Sequence, residues 1–170
     1  MAAVTLRGKP LQTSGTLPAV GAHAPDFTLT NVELNEISLR EFHGQKLVLN
    51  IFPSLDTPTC NLAMKHFNKL AMQMPEVLVF CISADLPFAQ KRFCVAENLS
   101  KVIPFSTFRH PEFGQHYGLT LTNGPLAGLL SRVVLIIDEN GKVAYTQQVS
   151  EISEEPDYNA VIAALQKTPA

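Results

Sequence analysis

The order of apolar and amphipathic segments along this 170-residue chain predicts a layered α/β fold built on a mixed sheet. Three observations carry that expectation. Residues 47–52 (LVLNIF), 77–83 (VLVFCIS) and 133–138 (VVLIID) are near-continuous apolar runs, the composition of strands buried on both faces. The first two are separated by a helical segment, as a parallel crossover requires. The third is followed by Asn140-Gly141, the strongest short hairpin signal.

The remaining elements follow in order. Residues 4–13 read as a short hairpin with Gly8 near its turn. Residues 26–30 are a candidate strand and 38–42 (SLREF) one capped helical turn. From Cys60, the positions Ala63, Met64, Phe67, Leu70, Ala71 and Met74 trace the apolar stripe of a half-buried helix, and Lys65, His66, Asn68, Lys69 and Gln73 take the other face. Residues 87–99 and 111–117 predict a second and a third helix, 142–149 an antiparallel edge strand, and 157–166 the C-terminal helix. The order β–α–β–α–β–(α)–β–β–α, with its closing hairpin and final helix, points to a thioredoxin-like fold with an N-terminal β-hairpin. No repeat, low-complexity tract or linker divides the chain, so residues 1–170 are expected to form one domain. A globule of this mass exposes about 8,200 Å² against about 27,000 Å² unfolded, enough burial for a core without staples.

Composition excludes several classes. Hydrophobic residues make up 46% and charged residues 16%, which rules out a disordered chain or a collagen-like repeat. A formal net charge of −2 gives no electrostatic footprint for nucleic acid and no attraction to an anionic membrane surface. No stretch is long and apolar enough to predict a membrane span, and the first 21 residues lack the apolar core of a signal peptide. Three cysteines, an odd number, cannot be a complete structural disulfide set. A cytoplasmic location is therefore expected.

The chemistry concentrates in residues 53–60 (PSLDTPTC), between a buried strand and an amphipathic helix. With Thr57 as N-cap, Pro58 takes the first helical position, where its missing N–H is harmless. Cys60 then falls third, among free backbone N–H groups at the positive end of the helix dipole. A thiolate is stabilised in such a place, and thiolate is the reactive form. A helix end contributes only about 0.3–1 kcal/mol, so full activation needs a second cation. An arginine would serve, although nothing in the spacing chooses among five of them. Even a thiolate fraction raised about 30-fold is worth only about 2 kcal/mol. Enzymes supply at least about 8 kcal/mol, so donors aimed at the transition state must do the rest.

Other readings stand beside this one. A cysteine in a first helical turn is often simply a small core residue. Cys81 lies inside an apolar run and reads as an inert buried thiol, and Cys94 sits on a partly polar helix where either role is open. The position completing a C-x-x-C after Cys60 is Ala63, which argues against a dithiol oxidoreductase. Zinc-ligand spacing and phosphate-cradling glycine motifs are missing, and Met64, Met72 and Met74 read as helix packing rather than a metal site. His43, His66, His110 and His116 could partner a cysteine hydrolase, but the sequence places none of them beside Cys60.

The segments NIFPSLDTPTC, CISADLPFAQKRFC, STFR, NGPLAGL, RVVLIIDENGKV and EPDY resemble, in this order, the bacterial thiol peroxidases, a subgroup of the atypical two-cysteine peroxiredoxins. Pro53-x-x-x-Thr57-x-x-Cys60 is similar to the active-site signature of that family. The resemblance implies that Cys60 is the peroxidatic cysteine, attacking a hydroperoxide and becoming a sulfenic acid. It implies that Thr57 orients the peroxide, that Pro53 shields the sulfur, and that Arg132 is the missing cation. It further implies that Cys94 is the resolving cysteine, forming an intrachain disulfide with Cys60 that a thioredoxin reduces. Hydrogen peroxide and organic hydroperoxides are the implied substrates, no cofactor or metal is required, and a homodimer is expected. Residues 119–130, rich in Leu, Gly and Ala and just ahead of Arg132, are expected to line a pocket that accepts organic hydroperoxides. A redox sensor, or a one-cysteine peroxidase in which Cys94 is structural, are the alternatives.

Overall fold

The computed structural model describes residues 3–167. Strands β1 (Ala3–Leu6) and β2 (Lys9–Gln12) form an antiparallel hairpin. Its two turn residues, Arg7 and Gly8, both have positive φ (50° and 80°), the twist that a two-residue hairpin demands.

The main sheet has seven strands in the order β4-β3-β7-β6-β5-β8-β9. They are β3 (Thr28–Asn31), β4 (Glu36–Ser38), β5 (Lys46–Ile51), β6 (Val77–Ser83), β7 (Val102–Ser106), β8 (Val133–Ile137) and β9 (Val143–Gln148). β5, β6 and β7 run parallel, and β3 and β8 flank them antiparallel. The helices are α1 (Pro58–Gln73), α2 (Pro87–Ala96), α3 (Glu112–His116) and α4 (Tyr158–Lys167).

The apolar runs are central strands covered on both faces, and the pleat divides their side chains between two cores. Val48, Val79, Cys81, Val134 and Ile136 face a core shared with α1 and α4. Leu47, Leu49, Ile51, Phe80, Ile82 and Leu135 face the other, with Phe27, Phe113 and Tyr117. A third, smaller cluster joins Val4 and Leu11 of the hairpin to Leu121 and Ile152. That contact anchors the hairpin near the loop that follows β9.

Most predicted elements appear with ends moved by one or two residues. One strand lay outside the sequence reading, β4, which is only three residues long; β7 was counted in the order without a residue range, and it carries a proline among its five residues. The second helix stops at Ala96 instead of running to 99, because Asn98 turns left-handed (φ 56°). The Leu99 N–H then donates to the Cys94 carbonyl at 2.8 Å, closing a Schellman cap that fixes Cys94 in the last turn of α2. The turn at 38–42 is a 3-10 helix, with Ser38 and Glu41 forming a capping box.

The expected pocket along 119–130 is corrected. This segment folds back on itself, with the Leu121 N–H on the Leu129 carbonyl at 2.8 Å and the Ser131 N–H on the Leu119 carbonyl at 2.9 Å. Leu119, Leu121 and Leu130 are thereby turned into the cores, while Gly124, Pro125, Ala127 and Gly128 stay exposed, so the leucines that read as pocket wall are packing instead.

Candidate active site

The α1 entrance is built as its residue types demand. Phe52 continues the ladder beyond β5 by donating its N–H to the Ile82 carbonyl at 3.1 Å, and Pro53 is buried where the chain then leaves the sheet. Thr57 is extended (φ −98°, ψ 144°) and caps the helix, its Oγ1 accepting the Cys60 N–H at 3.3 Å. The same hydroxyl donates to the Ser54 carbonyl at 3.1 Å. Pro58 takes the first helical position and Cys60 the third, fully buried.

Asp85 ties this loop to the start of α2. Its carboxylate accepts the Ser54 hydroxyl at 2.8 Å, the Leu55 N–H at 2.8 Å and the Ser83 hydroxyl at 2.7 Å. The Ser106 hydroxyl closes on the Asp85 carbonyl at 2.5 Å.

Arg132, immediately ahead of β8, is 1% exposed, and it reaches Cys60. Its Nη2 donates to Cys60 Sγ at 3.3 Å and its Nε to the Ile152 carbonyl at 2.8 Å, while Nη1 is buried without a protein partner. Among the described residues no carboxylate forms an ion pair with this guanidinium. A buried cation lacking a counter-charge is costly by several kcal/mol, and here it is set against a sulfur, where negative charge arising in a reaction would be met. The spare Nη1 donor, in the same dry setting, can hydrogen-bond an oxygen brought to the sulfur.

The other cysteines have no such partner. Burial pushes the Cys81 thiol up to about 12, even with Asn50 Nδ2 donating to its sulfur at 3.6 Å. Cys94 is half-buried on α2 against the core that holds Cys60 and Cys81, and burial pushes its thiol up to about 11. All three thiols are free. A groove of about 600 Å³ runs between the two helices, with Leu55, Thr57, Pro58 and Leu62 on the α1 side and Phe93 and Glu97 on α2.

The structure thus brings Cys60, Thr57 and Arg132 together, sets Pro53 at the head of the same loop, and leaves Cys94 on the neighbouring helix without a bond to Cys60. The sequence reading missed the Ile152 carbonyl and Asp85. A backbone acceptor leaves no mark on a sequence, and Asp85 could have been suspected only as an acidic residue between two buried strands. Among the described residues no cluster of three or more His, Cys, Asp or Glu side chains is arranged to hold a metal, and no helix is long and apolar enough to cross a membrane.

Fold and site together define a thiol-based redox protein of thioredoxin-like architecture. The family model described as Redoxin matches residues 19–162. The thiol peroxidase of Corynebacterium glutamicum is 52% identical over 165 residues, covering 97% of this chain and 99% of that protein. The thiol peroxidase of Mycobacterium tuberculosis is 51% identical over the same share of each chain. The crystal structure of a peroxiredoxin-like protein from Aquifex aeolicus has a TM-score of 0.92 at 40% identity, covering 98% of this chain and 97% of that one. The chain belongs to the redoxin family and, within it, to the thiol peroxidases, enzymes of the peroxiredoxin type.

Proposed function

We propose that this single-domain enzyme reduces hydrogen peroxide and organic hydroperoxides through Cys60, and that the contact between Arg132 and Cys60 is the observation that carries the reading. The Cys60 thiolate attacks the proximal peroxide oxygen. The O–O bond breaks, the sulfur is oxidised to sulfenic acid, and the distal oxygen leaves as water or alcohol after taking one proton. Arg132 Nη1, which has no protein partner, donates to the peroxide oxygen, while Nη2 holds the sulfur. Thr57 orients the substrate by giving up the hydroxyl bond it makes to Ser54, and Pro53 keeps the entrance dry.

The Cys94 thiol then displaces hydroxide from the sulfenic sulfur, giving a Cys60–Cys94 disulfide and water. Cys60 is fully buried in the first turn of α1 and Cys94 half-buried in the last turn of α2, so bringing the two sulfurs into bonding geometry rearranges both turns. A thioredoxin dithiol reduces the bond, returning two thiols and leaving as its own disulfide. The redox equivalents stay on sulfur throughout, so no cofactor enters the cycle. We place the enzyme in the cytoplasm, where thioredoxin keeps thiols reduced. The homodimer is supported by the apolar side chains Leu62, Phe88 and Val95, left 47%, 69% and 70% exposed around the groove and α2.

The test is peroxide consumption coupled to thioredoxin, thioredoxin reductase and NADPH. Turnover should be abolished by Cys60→Ser and by Cys94→Ser. Turnover retained by Cys94→Ser would instead establish the one-cysteine cycle.

A further inference from the structure

We infer that Glu151 is a positioning residue for the reaction: its carboxylate clasps the N-terminal hairpin to the 150–153 turn, and the Ile152 carbonyl of that turn sets the Arg132 guanidinium against Cys60. The inference rests on the roles proposed above for Cys60 and Arg132 and extends them to a residue that touches neither.

The carboxylate collects four donors. Oε1 accepts the Gly8 N–H at 2.9 Å and the Thr5 hydroxyl at 3.0 Å, both from the hairpin. Oε2 accepts the Ser153 N–H at 2.9 Å and the Ser153 hydroxyl at 2.6 Å, both from its own turn. An ionised carboxylate, with about four lone-pair sites, is the side chain suited to four converging donors. These bonds, led by those of Ser153, hold the Glu151 carboxyl well below the usual carboxylate range, so the clasp stays charged at working pH.

What the clasp holds is the environment of the thiol. Backbone bonds run alongside it, from the Thr5 N–H to the Ser150 carbonyl at 2.8 Å and from the Ile152 N–H to the Thr5 carbonyl at 2.8 Å. The Ile152 side chain packs with Val4, Leu11 and Leu121. With residue 152 fixed on both sides, its carbonyl accepts Arg132 Nε at 2.8 Å and leaves Nη2 on the sulfur at 3.3 Å. The next carbonyl, of Ser153, accepts the Thr59 hydroxyl at 2.8 Å, one residue before Cys60. The turn therefore bonds Arg132 directly and the residue that precedes Cys60. The hairpin, which contributes no catalytic group, acquires a function as the far end of the clasp.

Glu151→Gln is the informative variant. It keeps the bulk, but it presents an NH2 where two donors converge. The measurement is stopped-flow oxidation of the reduced full-length protein by hydrogen peroxide across pH, with reduction of the oxidised protein by thioredoxin measured in parallel. A misplacement on the scale of 1 Å costs up to about 100-fold, so oxidation should slow at least about tenfold, with its pH profile moved to higher pH. Reduction by thioredoxin should change less than about twofold. Thr5→Val removes one donor only and should slow oxidation in the same direction by a few fold, which carries the test if Glu151→Gln does not fold. A folded Glu151→Gln with oxidation rate and pH profile unchanged overturns the inference, as does an equal slowing of both half-reactions with an unmoved pH profile. Arg132→Lys in the same assay separates the two levels. If it slows oxidation while Glu151→Gln does not, the inference alone fails; if it too has no effect, the underlying reading of the site fails.

Discussion

Arg132 Nη2 stands 3.3 Å from Cys60 Sγ, and both side chains are withdrawn from solvent. The pair spans 72 residues of sequence, joining the segment that opens β8 to the first turn of α1 across the core. A lysine ammonium, a single point charge of shorter reach, cannot replace the guanidinium, because Nε holds the Ile152 carbonyl at 2.8 Å while Nη2 holds the sulfur. Arg132→Lys should therefore lower the second-order rate of peroxide reduction about 10²–10³-fold, the loss typical of removing a preorganised donor. Stopped-flow oxidation of the reduced variant checks this, and a loss below about threefold contradicts it.

Cys81 and Cys94 should behave as thiols, not thiolates, at neutral pH. Burial raises them to about 12 and about 11, so the folded state favours their protonated forms. For a raised group, the stabilisation is fully present below the unfolded value and is lost as pH rises through the folded one. Urea midpoints should thus fall as pH climbs from about 9 toward 12, and part of that fall should vanish in the Cys81→Ala, Cys94→Ala double variant. An unchanged slope contradicts the assignment.

Asp85, two residues before α2, joins Ser54 and Leu55 to Ser83 at the end of β6. Asp85→Ala leaves those part-buried donors without an acceptor and should cost about 1–3 kcal/mol of stability in the reduced form. The proposed rearrangement of the α1 and α2 ends on forming the Cys60–Cys94 bond would loosen these contacts. Hydrogen exchange should accordingly speed up over 54–62 and 86–97 on oxidation, and equal protection in the two redox forms would count against the rearrangement.

The groove at the α1 entrance has Leu55, Pro58, Leu62 and Phe93 as its apolar part, beside Asp56, Thr57, Asn61 and Glu97. That apolar part can hold a hydrocarbon body, so cumene hydroperoxide should react at least as fast as hydrogen peroxide. Phe93→Ala should slow the bulky substrate more than the small one. Equal slowing of both would remove the groove from substrate selection.

The three apolar runs, the Asn-Gly hairpin and the α1 stripe were legible in the sequence because period and turn chemistry are local properties. The Thr57 cap and the third-position Cys60 were legible for the same reason: one turn of helix contains the whole argument. Arg132 was not, since long-range packing alone decides which arginine meets the thiol; the family resemblance supplied it. The 119–130 segment misled because a Leu-rich stretch has the same composition whether it lines a pocket or fills a core. Glu151 and Asp85 escaped because their roles lie in hydrogen bonds to backbone groups that the fold assembles from distant segments.

The central claim is a two-cysteine cycle on Cys60 and Cys94 with Cys81 outside it. Peptide mapping by mass spectrometry after one equivalent of hydroperoxide, without reductant, tests it most directly. The account predicts a single intrachain Cys60–Cys94 link with Cys81 still free. Sulfenic acid on Cys60 with Cys94 unlinked, or a link that includes Cys81, would contradict it.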